Sequence, residues 1–237
     1  MAYELYYWTG IQGRGEYVRL ALEAAGAPYR DVAREEGDQA IMKVTGQAPT
    51  PSFAPPFLKD GDVVVGQVAA ILLYLGDKLD LAPKEAALRL WTHQIQLTIA
   101  DLVLEGHDVH HPIGAGEYYE DQKPESLRRA REFREQRVPK FLDWFEGILT
   151  RNPEGPVHLV GSRLSYADLS LFQVMDGLSY AFPMLMGELA PRYPQVAALC
   201  STVAGHPKIS AYLASERRLP SNESDLFRHY SELDGKP

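Results

Sequence analysis

The chain has 237 residues, 45% of them apolar, enough for one large core or two modest ones. Its 32 acidic residues outnumber 24 basic ones for a formal charge of −8, which argues against nucleic acid or an anionic membrane as the main partner and means that a small anionic ligand needs a local positive site. A lone Cys200 excludes an internal disulfide, no charged start leads into an apolar signal stretch, and no run approaches the roughly 20 apolar residues of a spanning helix, so a soluble protein in the reducing cytoplasm is expected.

Tyr3-Glu4-Leu5-Tyr6-Tyr7-Trp8 is short, aromatic-rich and followed by Gly10 and Gly13, which predicts a buried strand running into a loop. Val18, Leu20, Ala21, Leu22 and Ala25 recur at helical spacing, and Gly26 supplies the stop. Tyr29 to Val32 reads as a second strand. Arg34 to Pro51 shows no clean period and reads mostly as loop with short helical turns. Phe57-Leu58 and Asp62 to Val65 flank Lys59-Asp60-Gly61, a hairpin signal. A helix should begin near Gln67 and end at Gly76. This β-α-β-(α)-β-β-α order predicts a thioredoxin-like domain over residues 1–82.

After Leu81-Ala82-Pro83 the strand signals vanish. Leu88, Trp91, Ile95, Ile99 and Leu102 mark one face of a long helix, and Leu127, Phe133, Val138, Phe141, Phe145 and Leu149 a second, in which Pro139 should kink or break the ladder. Further helices are expected around Ser165 to Tyr180, Tyr193 to Ala204 and Pro207 to Ala214. Residues 83–237 therefore read as an all-helical domain, with the Ser-, Asp-, Glu- and Arg-rich tail from Ser221 weakly ordered.

Tyr7-Trp8, the loop to Arg14, and a helix carrying Arg19 resemble the opening of cytosolic glutathione transferases, and Gly161 through Asp168 resembles their G-x-x-[IL]-[ST]-x-A-D segment. The resemblance covers essentially the whole chain, is nearest in pattern to the tyrosine-type mu, pi and sigma classes, and implies a thioredoxin-like domain followed by a helical bundle. It also implies a detoxifying transferase that uses glutathione as co-substrate, needs no metal, and works as a cytoplasmic homodimer on small hydrophobic electrophiles. The alternative is a non-catalytic ligand-binding or interaction protein on the same fold. Thiol-disulfide exchange would need a cysteine near the first helix, and Cys200 lies far downstream.

The chemistry gives the tyrosine a reason. A free thiol near pKa 8.5 is mostly protonated at neutral pH, and a hydrogen-bond donor aimed at sulfur favours the nucleophilic thiolate. The family pattern puts Tyr7 in that role, with Tyr6 or Thr9 as alternatives. The loop Thr9 to Gly13 is one residue longer than those classes usually have. Pro56-Phe57-Leu58-Lys59-Asp60-Gly61 resembles the family's P-x-L-x-D-G segment, making Pro56 the cis proline and Pro55 the residue that pairs with the cysteinyl backbone, although Pro55 has no N–H. Gln67-Val68 resembles the helix start that holds the γ-glutamyl carboxylate, with Val68 replacing Ser or Thr. Trp8, Arg14, Lys43 and Asp101 complete the expected glutathione contacts, Asp101 reaching the γ-glutamyl amine across a dimer. Asp108 and His111 are expected in the electrophile pocket. His107, His110 and His111 fall on adjacent turns as metal ligands can, yet histidines near a helix C-terminus are also favoured by its dipole, and no metal is expected. Ser165 and Asp168, spaced as a capping box, belong to folding.

Overall fold

The structure, a computed structural model, describes residues 2–45 and 50–235. Strand β1 (Tyr3–Tyr6) leads to helix α1 (Gly15–Ala25), β2 (Tyr29–Asp31), the short helices α2 (Val32–Glu36) and α3 (Gln39–Thr45), the hairpin β3 (Phe57–Asp60) and β4 (Val63–Gly66), and α4 (Val68–Lys78). The sheet order is β2-β1-β3-β4, with β1 parallel to β2 and antiparallel to β3. The parallel pair needs a crossover, which α1 supplies. Gly26, at φ 68°, ends α1 in the left-handed conformation that glycine takes without strain.

Two expectations for this half change. The segment after Arg34 is more helical than its pattern suggested, because Ala33, Ala40 and Ile41 bury themselves against Tyr6 and Phe57 on one face of the sheet; positions 46–49 of that segment lie outside the described residues. Helix α4 does not stop at Gly76. A Cβ there would lie 2.6 Å from the Tyr166 ring, so the glycine serves close approach to a neighbouring helix.

From Ala86 on, the described elements are helical: α5 (Ala86–Asp108), α6 (Lys123–Glu132), α7 (Val138–Arg151), α8 (Tyr166–Ala181), α9 (Pro183–Leu189), α10 (Pro194–Gly205) and α11 (Pro207–Leu213). Pro139 sits in the first turn of α7, and a π-helical turn, Phe133–Arg137, directly precedes that helix. Helix α8 is the central rod, packed on α1, α5 and α10. Its start is held by Asp168, which accepts from Ser165 N at 2.7 Å, Ser165 Oγ at 2.8 Å and Leu159 N at 2.7 Å. Among the described residues no helix is long and apolar enough to cross a membrane.

The tail is the main departure. Leu226, Phe227 and Leu233 are buried. Phe227 fits where glycines leave room: a Cβ on Gly106 of α5 would lie 2.9 Å from its ring, and one on Gly177 of α8 would collide with it. His110 Nε2–H donates to Leu226 O at 2.9 Å. His110 is 2% exposed, and burial pushes its imidazole down to about 3. Below the ordinary imidazole pKa of about 6.5 the unfolded chain binds a proton that the folded chain refuses, so stability falls as pH drops from there toward 3, by at most about 1.4 kcal/mol per pH unit. Urea unfolding of wild type and His110→Gln between pH 7 and pH 4 should show a shallower loss for the variant.

Candidate functional site

A cleft of about 620 Å³ opens between the start of α1, the Ala54-Pro55-Pro56 turn, the N-terminus of α4 and one face of α5. Its volume suits a small organic ligand. Arg14 is the one permanently charged side chain among its described lining residues. In a chain of formal charge −8, this cation marks where an anionic ligand would be held.

Each wall follows from local sequence. The Pro55–Pro56 bond is cis. Gln67 takes φ 63° and ψ 122°, a left-handed backbone costly for a residue with a Cβ, and turns the chain so that α4 begins facing the cleft. Gln67, Val68, Ala69 and Ala70 all line it. The first N–H groups of a helix have no partner within it, so Val68 can offer a backbone donor without the missing hydroxyl.

Tyr7 is 4% exposed and stands directly behind Arg14. The Arg14 backbone N–H donates to the Tyr7 oxygen at 2.8 Å. Gly13 and Gly15 press on the ring: a Cβ on Gly15 would lie 2.7 Å from Tyr7 Cγ, and one on Gly13, whose φ is +50°, would overlap the hydroxyl. Burial raises the Tyr7 phenol above its ordinary value while the Arg14 N–H pulls it down, so the group stays protonated at neutral pH. Among the described residues none accepts its proton. Tyr6 points to the other face of the sheet, as alternation requires, stacking on Phe57 at 4.6 Å and donating to Glu4 at 3.2 Å. Thr9 is tied through its N–H to Asp38.

Arg14, Pro55, Pro56, Gln67 and Val68 thus meet at one cleft; Tyr7 is not among its lining residues and is joined to it through the Arg14 N–H. The other expected contacts are not gathered there. Trp8, 38% exposed, and exposed Lys43 on α3 do not line it. Asp101 is exposed and near Arg137, off the cleft face of α5. Asp108 and His111 lie at the far end of α5, where His111 stacks on His107 at 5.0 Å and bonds Gln122. His110 packs on both rings, at 5.1 Å and 4.7 Å. Among the described residues no group of three or more His, Cys, Asp or Glu is arranged to hold a metal ion.

Sequence reading missed Tyr17, His93 and Gln96, which line the cleft. The Tyr17 hydroxyl, Gln96 Oε1 and His93 Nδ1 are buried without a hydrogen-bond partner. The usable signal was helical phase: His93, Gln96, Ala100 and Val103 share a face of α5 beside the apolar stripe of Ile95 and Leu102.

A family model described as "Glutathione S-transferase, C-terminal domain" matches residues 107–216. The chain is similar to glutathione S-transferase P 1 of Xenopus laevis, 29% identical over 91% of this chain and 93% of that relative. It is 26% identical to glutathione S-transferase P of Bos taurus over 92% and 94% of the two chains. Among solved structures, the pi-class glutathione S-transferase of Onchocerca volvulus superposes with a TM-score of 0.70 at 23% identity, covering 90% of this chain and 92% of that one. Prostaglandin synthase D of Nilaparvata lugens gives 0.72 at 20% identity, covering 93% and 100%; both likenesses speak to fold.

Proposed function

Because the chain belongs to the cytosolic glutathione transferase family, we propose that its cleft binds glutathione and that Tyr7 holds the bound sulfur as thiolate for attack on a small hydrophobic electrophile. The observation that carries this reading is the Tyr7 hydroxyl: its oxygen accepts the Arg14 N–H at 2.8 Å, which leaves its proton as the group to donate. The thiolate sulfur forms the new bond to carbon as the electrophile's leaving group departs with its electron pair, and Tyr7 retains its proton throughout.

Arg14 pairs with a glutathione carboxylate, the Val68 N–H with the γ-glutamyl carboxylate, and the Pro55 carbonyl accepts from the cysteinyl N–H. Tyr17 and Gln96 extend the polar wall. Lys43, Trp8 and Asp101 contribute from the periphery, Asp101 toward the ligand of a second copy. Asp108 and His111, which lie at the far end of α5 outside the cleft lining, would meet only an electrophile long enough to extend past it. Residues 1–82 form the glutathione-binding domain and 83–237 the helical domain. The chain works as a homodimer in this reading, with Phe53, 97% exposed and next in sequence to the cleft-lining Ala54, as an apolar group for a second copy to cover. Cytoplasmic detoxification, with glutathione as co-substrate and no metal, nucleic acid or membrane partner, completes the reading.

Conjugation of glutathione to an activated aryl halide tests it: a rate saturable in glutathione supports transferase activity, and a rate no greater than the uncatalysed reaction rejects it. Pro55, lacking an N–H, and Val68, lacking a hydroxyl, favour the alternative of a ligand-binding protein, which glutathione binding without conjugation would select. Arg14→Gln should weaken glutathione binding about ten- to hundredfold, measured by calorimetry, since a charge-assisted contact contributes about 1.5 to 3 kcal/mol.

A further inference from the structure

Asp225 belongs to the tail, far in sequence from Tyr7, yet its carboxylate is buried against the loop that serves Tyr7. It is 7% exposed. Oδ1 accepts from Gly13 N at 2.9 Å and from Leu226 N at 2.6 Å, and Oδ2 accepts from Gln12 N at 3.0 Å. The Gly13 and Arg14 N–H groups lie on successive peptide planes, separated only by the two dihedrals of Gly13. A glycine turns about those dihedrals more freely than any other residue. With its own N–H on Asp225, the plane before Gly13 is fixed, and the Arg14 N–H is delivered to the Tyr7 oxygen at 2.8 Å.

The carboxylate is itself held. Phe227 packs against Gly106 and Gly177, Leu226 O accepts from His110, Asn222 Nδ2 donates to Gly10 O at 3.0 Å, and Gln12 Nε2 donates to Leu219 O at 2.6 Å. From the other side Gln173 Nε2 donates to Gln12 Oε1 at 2.9 Å, and Arg19 donates to Gln12 O at 3.1 Å. The loop is clamped between the tail and α8.

We propose that Asp225 is a positioning residue for thiol activation: by holding the Gln12 and Gly13 amides it keeps the Arg14 N–H on the Tyr7 oxygen and so sets how strongly Tyr7 donates to the bound thiolate. The inference rests on Tyr7 being the thiol-activating group. Two effects of Asp225 oppose each other. Its negative charge disfavours a nearby thiolate through space, whereas its hydrogen bonds favour one through the loop. The hydrogen bonds win, because they are direct contacts beside the reacting group, and without them Gly13 is held only at its carbonyl, by the Glu16 N–H at 3.3 Å.

The test is the pKa of the glutathione thiol bound to the full-length protein, read from the ultraviolet absorbance of the thiolate across a pH series. Wild type is compared with Tyr7→Phe, Asp225→Ala, Asp225→Asn and the Tyr7→Phe/Asp225→Ala double variant. Asp225→Ala should raise the bound-thiol pKa by about one pH unit, about a threefold loss of thiolate at pH 7 and nearly tenfold below about pH 6. Asp225→Asn, which keeps the shape and one acceptor oxygen, should fall between that variant and wild type, and it carries the test alone if Asp225→Ala does not fold. In the Tyr7→Phe background Asp225→Ala should not raise the pKa further, since only the through-space charge effect is left and its loss favours the thiolate. The proposal is overturned if Tyr7→Phe raises the thiol pKa while both Asp225 variants keep the wild-type value, or if Asp225→Ala shifts it equally with and without the Tyr7 hydroxyl. A Tyr7→Phe protein with the wild-type thiol pKa overturns the Tyr7 reading itself, and this proposal with it.

Discussion

Tyr7→Phe is expected to lower kcat/KM for glutathione conjugation about twenty-five-fold at pH 7 and about a hundredfold below about pH 6, while glutathione affinity changes little. The size follows from a thiol pKa lowered by about two pH units, equivalent to about 2.7 kcal/mol of preferential stabilisation of the anion. The variant keeps the ring that Gly13 and Gly15 pack against, so it removes the donor and leaves the loop in place. The sign is testable by pH. The ascending limb of kcat/KM should move upward by about two pH units, and the variant should approach wild type once free thiolate predominates, above about pH 9. A rate profile unchanged by loss of the hydroxyl would transfer the role to another group. Tyr6 is a poor substitute, because its hydroxyl is turned to the far face of the sheet and bonded to Glu4.

Asp168→Ala is expected to destabilise the protein by about 3 to 5 kcal/mol, read as a lower urea midpoint with an unchanged slope. The carboxylate is fully buried and accepts from Leu159 N, Ser165 N and Ser165 Oγ. Removing it strands these donors at the start of α8, the rod on which α1, α5 and α10 pack. Asp168→Asn keeps one acceptor oxygen and should lose less. Because Asp168 is remote from the cleft lining, whatever Asp168→Asn protein folds should bind glutathione as wild type does.

The element order was readable because its signals are local. Aromatic and β-branched runs, the Asp60-Gly61 turn and the Gly26 stop all act within a few residues, and each has a counterpart in the structure. The capping of α8 by Asp168 was readable for the same reason. What failed depended on distant partners. The polar composition of the tail suggests a solvated end, but the slot for Phe227 exists only because Gly106 and Gly177 come together from separate helices. Gly76 reads as a helix stop until Tyr166 is seen packed on it.

In the cleft, Arg14, Pro55, Pro56, Gln67 and Val68 sit on short segments with recognisable motifs, and they converge. The α5 wall carries no such motif. There the choice of face is set by packing, which turns His93 and Gln96 to the cleft and Asp101 to solvent. Asp225 was invisible to sequence reading for the same reason as Phe227: its partners are backbone amides at the opposite end of the chain.

The central claim is that this cleft holds glutathione, and calorimetric titration with reduced glutathione beside an S-alkyl glutathione tests it most directly. Millimolar or tighter binding of glutathione, stronger for the S-alkyl form and weakened by Arg14→Gln, is the predicted result. Absence of heat for both ligands from folded protein would contradict it, and would mean that Pro55 and Val68 have removed the site.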